Sequence, residues 1–417
     1  MLVKDLVIIG GGSAGMAAAI SAKENGVDDI LILEKDDALG GILNQCIHNG
    51  FGLTEFKEEL TGPEYLERFV KQVEDLKIEY KLNSLVLDIT KDKIITYSNM
   101  EDGIVTLKAK AIVFATGCYE RGAGAIQIPG DRPSGIITAG TAQKYLNIHG
   151  YLAGKRIVIL GSGDIGLIMA RRMTLEGAKV LCVSEIMPYS NGLNRNIAQC
   201  LTDYDIPLYL SRSVSKVIGK GRVEKVILSA VDQNMKFIPG TEMEFECDTL
   251  LLSIGLIPYV SLLDNLKVEM SSTKGAKVNN MLETSLEGVF ACGNCLHVHD
   301  VVDFVTSEGR EAGANAAKYI QNKVHRTTDI SVVSGTGISY VVPQNIVDID
   351  AESITLKFRV RKPVNKVQIL LKDEEEIIVK FTRPVLIPSE MVMIKINKEQ
   401  LQKIKSQKVT LSLEEIA

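Results

Sequence analysis

The feature that most constrains this chain is a short glycine phrase that occurs twice, GGGSAG at Gly10–Gly15 and GSGDIG at Gly161–Gly166. Each copy follows an apolar run, Leu6–Ile9 and Ile157–Leu160, and leads into a stretch of Ala, Leu, Ile and Met that suits a helix. An acid then closes the next apolar run: Glu34 stands 19 residues after Gly15, and Glu185 stands 19 residues after Gly166. One G-x-G-x-x-G is a weak signal, because glycine-rich turns are common. Two copies with strand, helix, strand and acid in register predict two dinucleotide sites. In such a turn the first glycine permits the tight bend, the second admits a pyrophosphate, and the third lets helix and strand pack closely. The helix N-terminus offers unpaired N–H groups to the diphosphate, and the acid accepts hydrogen bonds from a ribose.

Length and composition bound the rest. A chain of 417 residues is too long for one ordinary core, so two or three domains are expected. Hydrophobic residues at 46% and charged residues at 24% give a globular balance. The net charge of −5 carries no nucleic-acid footprint and no patch for an anionic membrane surface. No apolar run reaches the ~20 residues needed to span a bilayer. Leu2–Ile20 is apolar and small like a signal peptide, but it lacks a basic leader and holds the first glycine phrase, so it reads as buried strand and helix. Seven scattered cysteines fit a reducing, cytoplasmic setting better than a disulfide framework.

The fold class read from this pattern is α/β, with two Rossmann-like dinucleotide-binding domains and a small C-terminal all-β domain. A helix is predicted from about Pro63 to Leu76, and strands over Ser84–Tyr97, Ile104–Leu107 and Ala111–Phe114, the last ending in Ala115-Thr116-Gly117. Residues Tyr119–Gly154, rich in Gly and Pro, read as a crossover between modules. The run Val289–Asn294 reads as a buried strand ending in a tight turn, and a helix runs from about Val301 to Ile320 with Asp300 as its N-cap. Beyond Asn322–Asp329 the pattern alternates, as in Ile354–Val360 (ITLKFRV), which predicts an antiparallel β domain used for docking or oligomerisation.

Together these residues resemble the two-dinucleotide-binding flavoproteins of the pyridine nucleotide-disulfide oxidoreductase superfamily, over about Leu2–Ile320. The resemblance implies an FAD-dependent NADH oxidoreductase, as in NADH oxidases. It also implies domains of 1–120 with 256–325 for FAD, 121–255 for NAD(P)H, and 330–417 for the β tail. The FAD residues it implies are Gly10, Gly12, Ser13, Ala14, Gly15, Glu34, Lys35, Gly41, Ala115, Thr116, Gly117, Gly293, Asn294 and Val301. Asn294 stands where the family usually has Asp, and His297–Val301 would face the flavin pyrimidine edge. The implied NAD residues are Gly161, Gly163, Asp164, Ile165, Gly166, Glu185 and Gly255. An acid at the Glu185 position repels a 2′-phosphate, and no basic residue follows it, so NADH is expected over NADPH.

The stretches Thr116–Arg121, Ile128–Gly130 and Gly135–Gly140 look more specifically like α-subunits of opine and amine dehydrogenases. They look even more like the NADH-linked flavoprotein associated with anaerobic glycerol-3-phosphate dehydrogenase, the group that Leu39–Gly52 and the β-like tail resemble best. That similarity implies small-molecule redox substrates and a partner dehydrogenase subunit, a homo-oligomer, or both. The electron acceptor would be oxygen, a quinone-like compound or that partner. An opine or amine dehydrogenase subunit, a thioredoxin-reductase-like disulfide reductase and a non-turnover redox sensor are the alternatives.

Cysteines bear on the disulfide alternative. Family members of that kind carry C-x4-C after the Gly-Gly loop or C-x-x-C in the NAD domain. Here Cys46 stands alone with His48 two residues on, and no C-x-x-C falls between Lys155 and Gly255. The resemblance places Cys46 and His48 near the flavin as candidate catalytic residues. The pair Cys292–Cys295 straddles the Gly293-Asn294 turn and reads as structural. Cys292, Cys295, His297 and His299 lie too close in sequence, across a turn already used, to make a convincing four-ligand metal set, so no metal is expected.

Overall fold

The apolar run that ends at the first glycine phrase lies inside a parallel sheet, where a strand covered on both faces must be apolar throughout. The computed structural model describes residues 2–416, which divide into two compact units: 2–44, 49–118 and 258–416 in one, 45–48 and 119–257 in the other. In the first unit the strands run in the order Glu79–Lys81, Ile30–Leu33, Leu2–Ile9, Gly103–Phe114, Ile94–Asn99, Leu85–Ile89, and Val289–Ala291 pairs with the end of Gly103–Phe114. Parallel pairing aligns Ile9 with both Leu33 and Phe114, so the first glycine phrase leaves the sheet between two strand ends. The segments Ile104–Leu107 and Ala111–Phe114 are one strand, not two. The exposed-buried alternation passes unbroken through Lys108, Ala109 and Lys110, with no Gly or Pro to stop it.

Helix Ser13–Glu24 packs against helix Val302–Ile320 at very close range. A Cβ on Gly309 would overlap the Ala14 carbonyl, and one on Gly313 would overlap that of Ala18, so only glycine allows the approach. Helix Gly62–Asp75 starts with a capping box between Thr61 and Glu64, with Pro63 in its first turn. The expected N-cap of the long helix is not the observed one. Val301 occupies that position without a side-chain cap, because Asp300 is drawn 3.1 Å from Arg359.

The C-terminal strands form two sheets. Asn345–Ile346, Ile330–Ser334, Lys408–Glu415, Val364–Asp373 and Glu376–Leu386 make one, and Ile338–Val342, Ser353–Val360 and Val392–Asn397 make the other. Leu356, Phe358, Ile369, Leu371, Ile394 and Leu411 fill one core with their neighbours. Pairing is mostly antiparallel, but Ile330–Ser334 runs parallel to Lys408–Glu415. The alternation of ITLKFRV sends Ile354, Leu356, Phe358 and Val360 into that core. Its other face is not a wet one: Lys357 reaches Glu308 of the long helix and Arg359 reaches Asp300.

In the second unit Ile136–Thr138, Thr249–Leu252, Arg156–Leu160, Lys179–Ser184 and Leu208–Tyr209 form a five-stranded parallel sheet in that order. Ile157 and Ile159 pack toward Met169 on one face, while Val158 and Leu160 join Val226 on the other. The stretch read as a crossover supplies the edge strand Ile136–Thr138 and helix Ala139–Asn147. Residues 45–48 belong to this unit because Gln45 donates to the Gly140 carbonyl at 2.9 Å and to Gln143 at 3.0 Å. Among the described residues no helix is long and apolar enough to cross a membrane.

Candidate cofactor sites

Gly10 has φ +104°, a left-handed conformation that only glycine adopts without strain, and a Cβ there would lie 2.5 Å from the Ala115 carbonyl oxygen. The Ala115-Thr116-Gly117 strand end is thus set directly against the first turn. A Cβ on Gly15 would overlap the Gly10 carbonyl, which fixes helix against strand. Gly12 differs from both: a Cβ there would meet nothing within 4 Å. Gly12 is also the N-cap of helix Ser13–Glu24 and has no side chain to satisfy the first-turn N–H groups. Open space beside uncapped N–H donors is what a diphosphate needs. Gly41, whose Cβ would stand 3.5 Å from the Gly12 Cα, borders the same space.

Glu34 is buried, and its carboxylate accepts from Gly11 N at 2.6 Å and from Asp36 N at 2.8 Å. A carboxylate has about four acceptor positions, so capacity remains for ribose hydroxyls. Lys35 is exposed and lies 3.3 Å from Asp36. These residues fit an adenine dinucleotide. Bound FAD would supply the hydride-accepting ring, and the chain's part would be to hold the diphosphate at Gly12–Gly15 and the ribose at Glu34.

The Gly293-Asn294 turn rests on the start of the same helix, since a Cβ on Gly293 would come 2.9 Å from the Ala14 Cβ. Its side chains have partners within the protein. Asn294 Oδ1 accepts from the His299 backbone N–H at 3.0 Å and lies 3.2 Å from His299 Nδ1, while Nδ2 reaches Cys118 Sγ. Gly293 N donates to Glu308 Oε1 at 2.8 Å. Glu308 sits at the centre of a group the sequence reading missed. Its Oε2 lies 2.7 Å from Lys357 Nζ and 2.9 Å from His297 Nε2. Burial alone would raise the Glu308 carboxyl, but Lys357, then His297 and His299, hold it well below the usual range. Burial would lower the Lys357 ammonium, yet Glu308 and Glu311 push it up to about 12. Burial pushes His297 down to about 4, so its ring is neutral near pH 7. The available signal was the charged face of ITLKFRV opposite a helix with Glu308 on its inner side.

The second phrase repeats the first one's backbone. Gly161 has φ +95° and touches the Ser253 carbonyl, as Gly10 touches that of Ala115, and a Cβ on Gly166 would lie 2.5 Å from the Ser253 Cβ. Gly163 caps helix Asp164–Leu175 without a side chain, and Ile165 lies in its first turn. Glu185 is buried and accepts from Ser162 N at 3.0 Å and Met187 N at 2.9 Å, a copy of the Glu34 pattern. Asp164 begins that helix. Its Oδ1 accepts from Leu193 N at 2.8 Å and Asn196 Nδ2 at 2.7 Å, which ties the following loop down. Gly255 accepts from Arg121 N at 3.0 Å.

A family profile described as pyridine nucleotide-disulphide oxidoreductase matches residues 4–317. The chain belongs to this family. Its members use FAD and NAD(P)H. A curated relative, the NAD(P)H sulfur oxidoreductase (CoA-dependent) of Pyrococcus abyssi, is 27% identical over 312 residues, 72% of this chain and 64% of its own length. The chain therefore spans less than two thirds of that relative. The thioredoxin reductase of T. acidophilum has a TM-score of 0.59 at 23% identity, covering 77% of this chain and 99% of that one. A NAD-dependent persulfide reductase from A. fulgidus has a TM-score of 0.58 at 17% identity, covering 96% and 75%. At these identities the two structures establish the α/β fold alone. None of the three is a dehydrogenase subunit of the opine or glycerol-3-phosphate kind, so that finer resemblance gains no support from them.

The disulphide chemistry in the family's name needs a reactive thiol, and among the described residues no disulfide joins any two of the cysteines. Cys292 and Cys295 are buried and both point at the Phe114 carbonyl, at 3.8 and 3.2 Å. Burial raises both thiols, in keeping with a structural role. Cys46 is also buried, 3.9 Å from Gln143 Oε1, and burial pushes its thiol up to about 12. At pH 8 only about one Cys46 in ten thousand is then a thiolate. Iodoacetamide at pH 8 should label Cys46 in the folded protein at least roughly a hundredfold more slowly than free cysteine, read by peptide mass. Labelling at the free rate would contradict this placement.

His48 is pushed down to about 4 by burial, with Arg195 adding to the effect. Its folded value lies below the unfolded value of about 6.5, so the neutral ring's contribution is complete above pH 6.5 and is lost as pH falls toward 4. His48→Gln should flatten the decline in denaturation midpoint between pH 6.5 and 4. An unchanged acid limb would count against a buried neutral His48.

Proposed function

We propose that this chain is an FAD-dependent oxidoreductase that takes hydride from NADH and passes the electrons to an acceptor other than a disulfide. The carrying observation is the pairing of two intact dinucleotide turns with the lack of any disulfide among the described residues, and with Cys46, Cys292 and Cys295 buried so that their thiols are raised. Gly12 and Glu34 hold the flavin nucleotide, and Gly163 and Glu185 hold the nicotinamide nucleotide. The Glu185 carboxylate, with Ile186 and Met187 after it, favours NADH over NADPH by charge. Flavin reduction by NADH should exceed that by NADPH by about tenfold or more in kcat/KM, the equivalent of roughly 1.4 kcal/mol. Equal rates would remove Glu185 from the specificity argument.

Oxygen, a quinone-like compound or the redox centre of a partner dehydrogenase are the acceptors consistent with this reading. Sulfur reduction is a second reading, favoured by the name of the Pyrococcus abyssi relative and by the solitary Cys46. Steady-state NADH oxidation measured with menadione, oxygen, a disulfide and coenzyme A persulfide separates the two. Turnover with menadione or oxygen that survives Cys46→Ser supports the first reading. Turnover confined to sulfur compounds and lost in Cys46→Ser overturns it.

A further inference from the structure

Two histidines and one glutamate of the first unit converge with a nitrogen lone pair left over. His297 Nε2 lies 2.9 Å and His299 Nε2 lies 3.5 Å from Glu308 Oε2, and one ligand atom from each falls within 4.8 Å of the others. All three side chains are fully enclosed. Asn294 decides the tautomer of His299. Asn294 Oδ1 already accepts the His299 backbone N–H, so Nδ1 donates to that same oxygen and Nε2 carries the lone pair. That Nε2 is buried and has no hydrogen-bond partner. A lone pair facing a carboxylate oxygen is repulsive unless an electrophile stands between them.

We propose that His297, His299 and Glu308 form a binding site for a first-row divalent metal ion of the zinc type. Imidazole nitrogens and carboxylate oxygens bind such an ion at about 2.0–2.2 Å, which puts neighbouring donors about 2.9–3.5 Å apart. The two observed N···O separations span that range. A proton held between His299 and Glu308 is the simpler occupant, but charge-assisted hydrogen bonds close to about 2.7–2.9 Å. The 3.5 Å gap is too wide for a proton and suitable for an ion.

The outer partners that orient metal ligands are also present. Glu308 Oε1 accepts from Gly293 N at 2.8 Å, His299 Nδ1 is fixed by Asn294, and His297 Nδ1 lies 3.5 Å from the Tyr340 hydroxyl. Neutral His297 has a nitrogen available once its proton moves to the Tyr340 side. The cysteine thiols of the four-residue set considered from sequence take no part, because they face the Phe114 carbonyl. Lys357 is the built-in competitor. Its ammonium lies 2.7 Å from the same Glu308 oxygen and 3.4 Å from Glu311, so an entering ion moves it toward Glu311. Metal affinity is therefore set by competition with a lysine, and removing that lysine should strengthen binding.

The test uses the flavin-loaded protein, stripped with chelator, dialysed against zinc at a fixed free concentration and analysed for bound metal. Wild type should retain one zinc per chain. His299→Ala, which removes an unpartnered nitrogen, should weaken zinc by more than the roughly tenfold that losing an outer partner costs, with its flavin content read separately by absorbance. Lys357→Gln should bind more tightly than wild type; if it does not fold, the His299→Ala comparison stands alone. The site is refuted if wild type holds no stoichiometric zinc, or if His299→Ala holds it equally well. A thermal shift with zinc in wild type and none in His299→Ala is the second readout.

Discussion

Replacing Lys357 by methionine should destabilise the metal-free protein by about 3–5 kcal/mol, the cost of leaving a buried carboxylate without its cation. The Lys357 ammonium is only 9% exposed and Glu308 is fully enclosed, so neither charge has water to fall back on. With the lysine in place, burial holds His297 down to about 4, so the ammonium is the cation that balances Glu308 near pH 7. Glu308 also fixes Gly293 N, so the disturbance should reach the cofactor turn as well as the C-terminal sheet. Urea denaturation in the presence of chelator measures the effect. Adding Glu308→Gln to the lysine variant should recover more than half of the loss, since a neutral amide no longer needs a cation. A loss below about 1 kcal/mol would mean the pair behaves like an exposed one.

Gly12→Val should fold yet lose its flavin. Gly12 has φ −75° and ψ −173°, which any residue adopts, and its Cβ position faces open space. A valine side chain would fill that space in front of the first-turn N–H groups. Flavin affinity should fall by about a hundredfold or more, equal to roughly 2.8 kcal/mol, while the denaturation midpoint of the flavin-free protein changes little. Gly15→Val is the contrasting variant, because its Cβ overlaps the Gly10 carbonyl and should prevent folding. Absorbance near 450 nm against protein concentration reads the difference. A yellow Gly12→Val protein would place the diphosphate elsewhere.

Both dinucleotide turns were legible in the sequence because their chemistry is local. Gly10, Gly15, Gly161 and Gly166 are needed for backbone reasons that act within one strand-turn-helix unit, and both acids close onto their own turns. The groups that were missed are joined over long distances. Glu308 meets Lys357 across 49 residues, and Asp300 meets Arg359 across 59. In a strand such as ITLKFRV the polar face reads as solvated until something is known to cover it. The loop contact of Asp164 was hidden for the related reason that its partners Leu193 and Asn196 lie some 29 residues or more later. Periodicity reports which residues share a face; it does not report what lies opposite.

The central claim, that hydride from NADH reaches a flavin held by this chain, is tested most directly by anaerobic titration of the purified yellow protein with NADH. The flavin absorbance should bleach fully at one NADH per flavin. A colourless protein, or a flavin that dithionite reduces and NADH does not, would contradict the account.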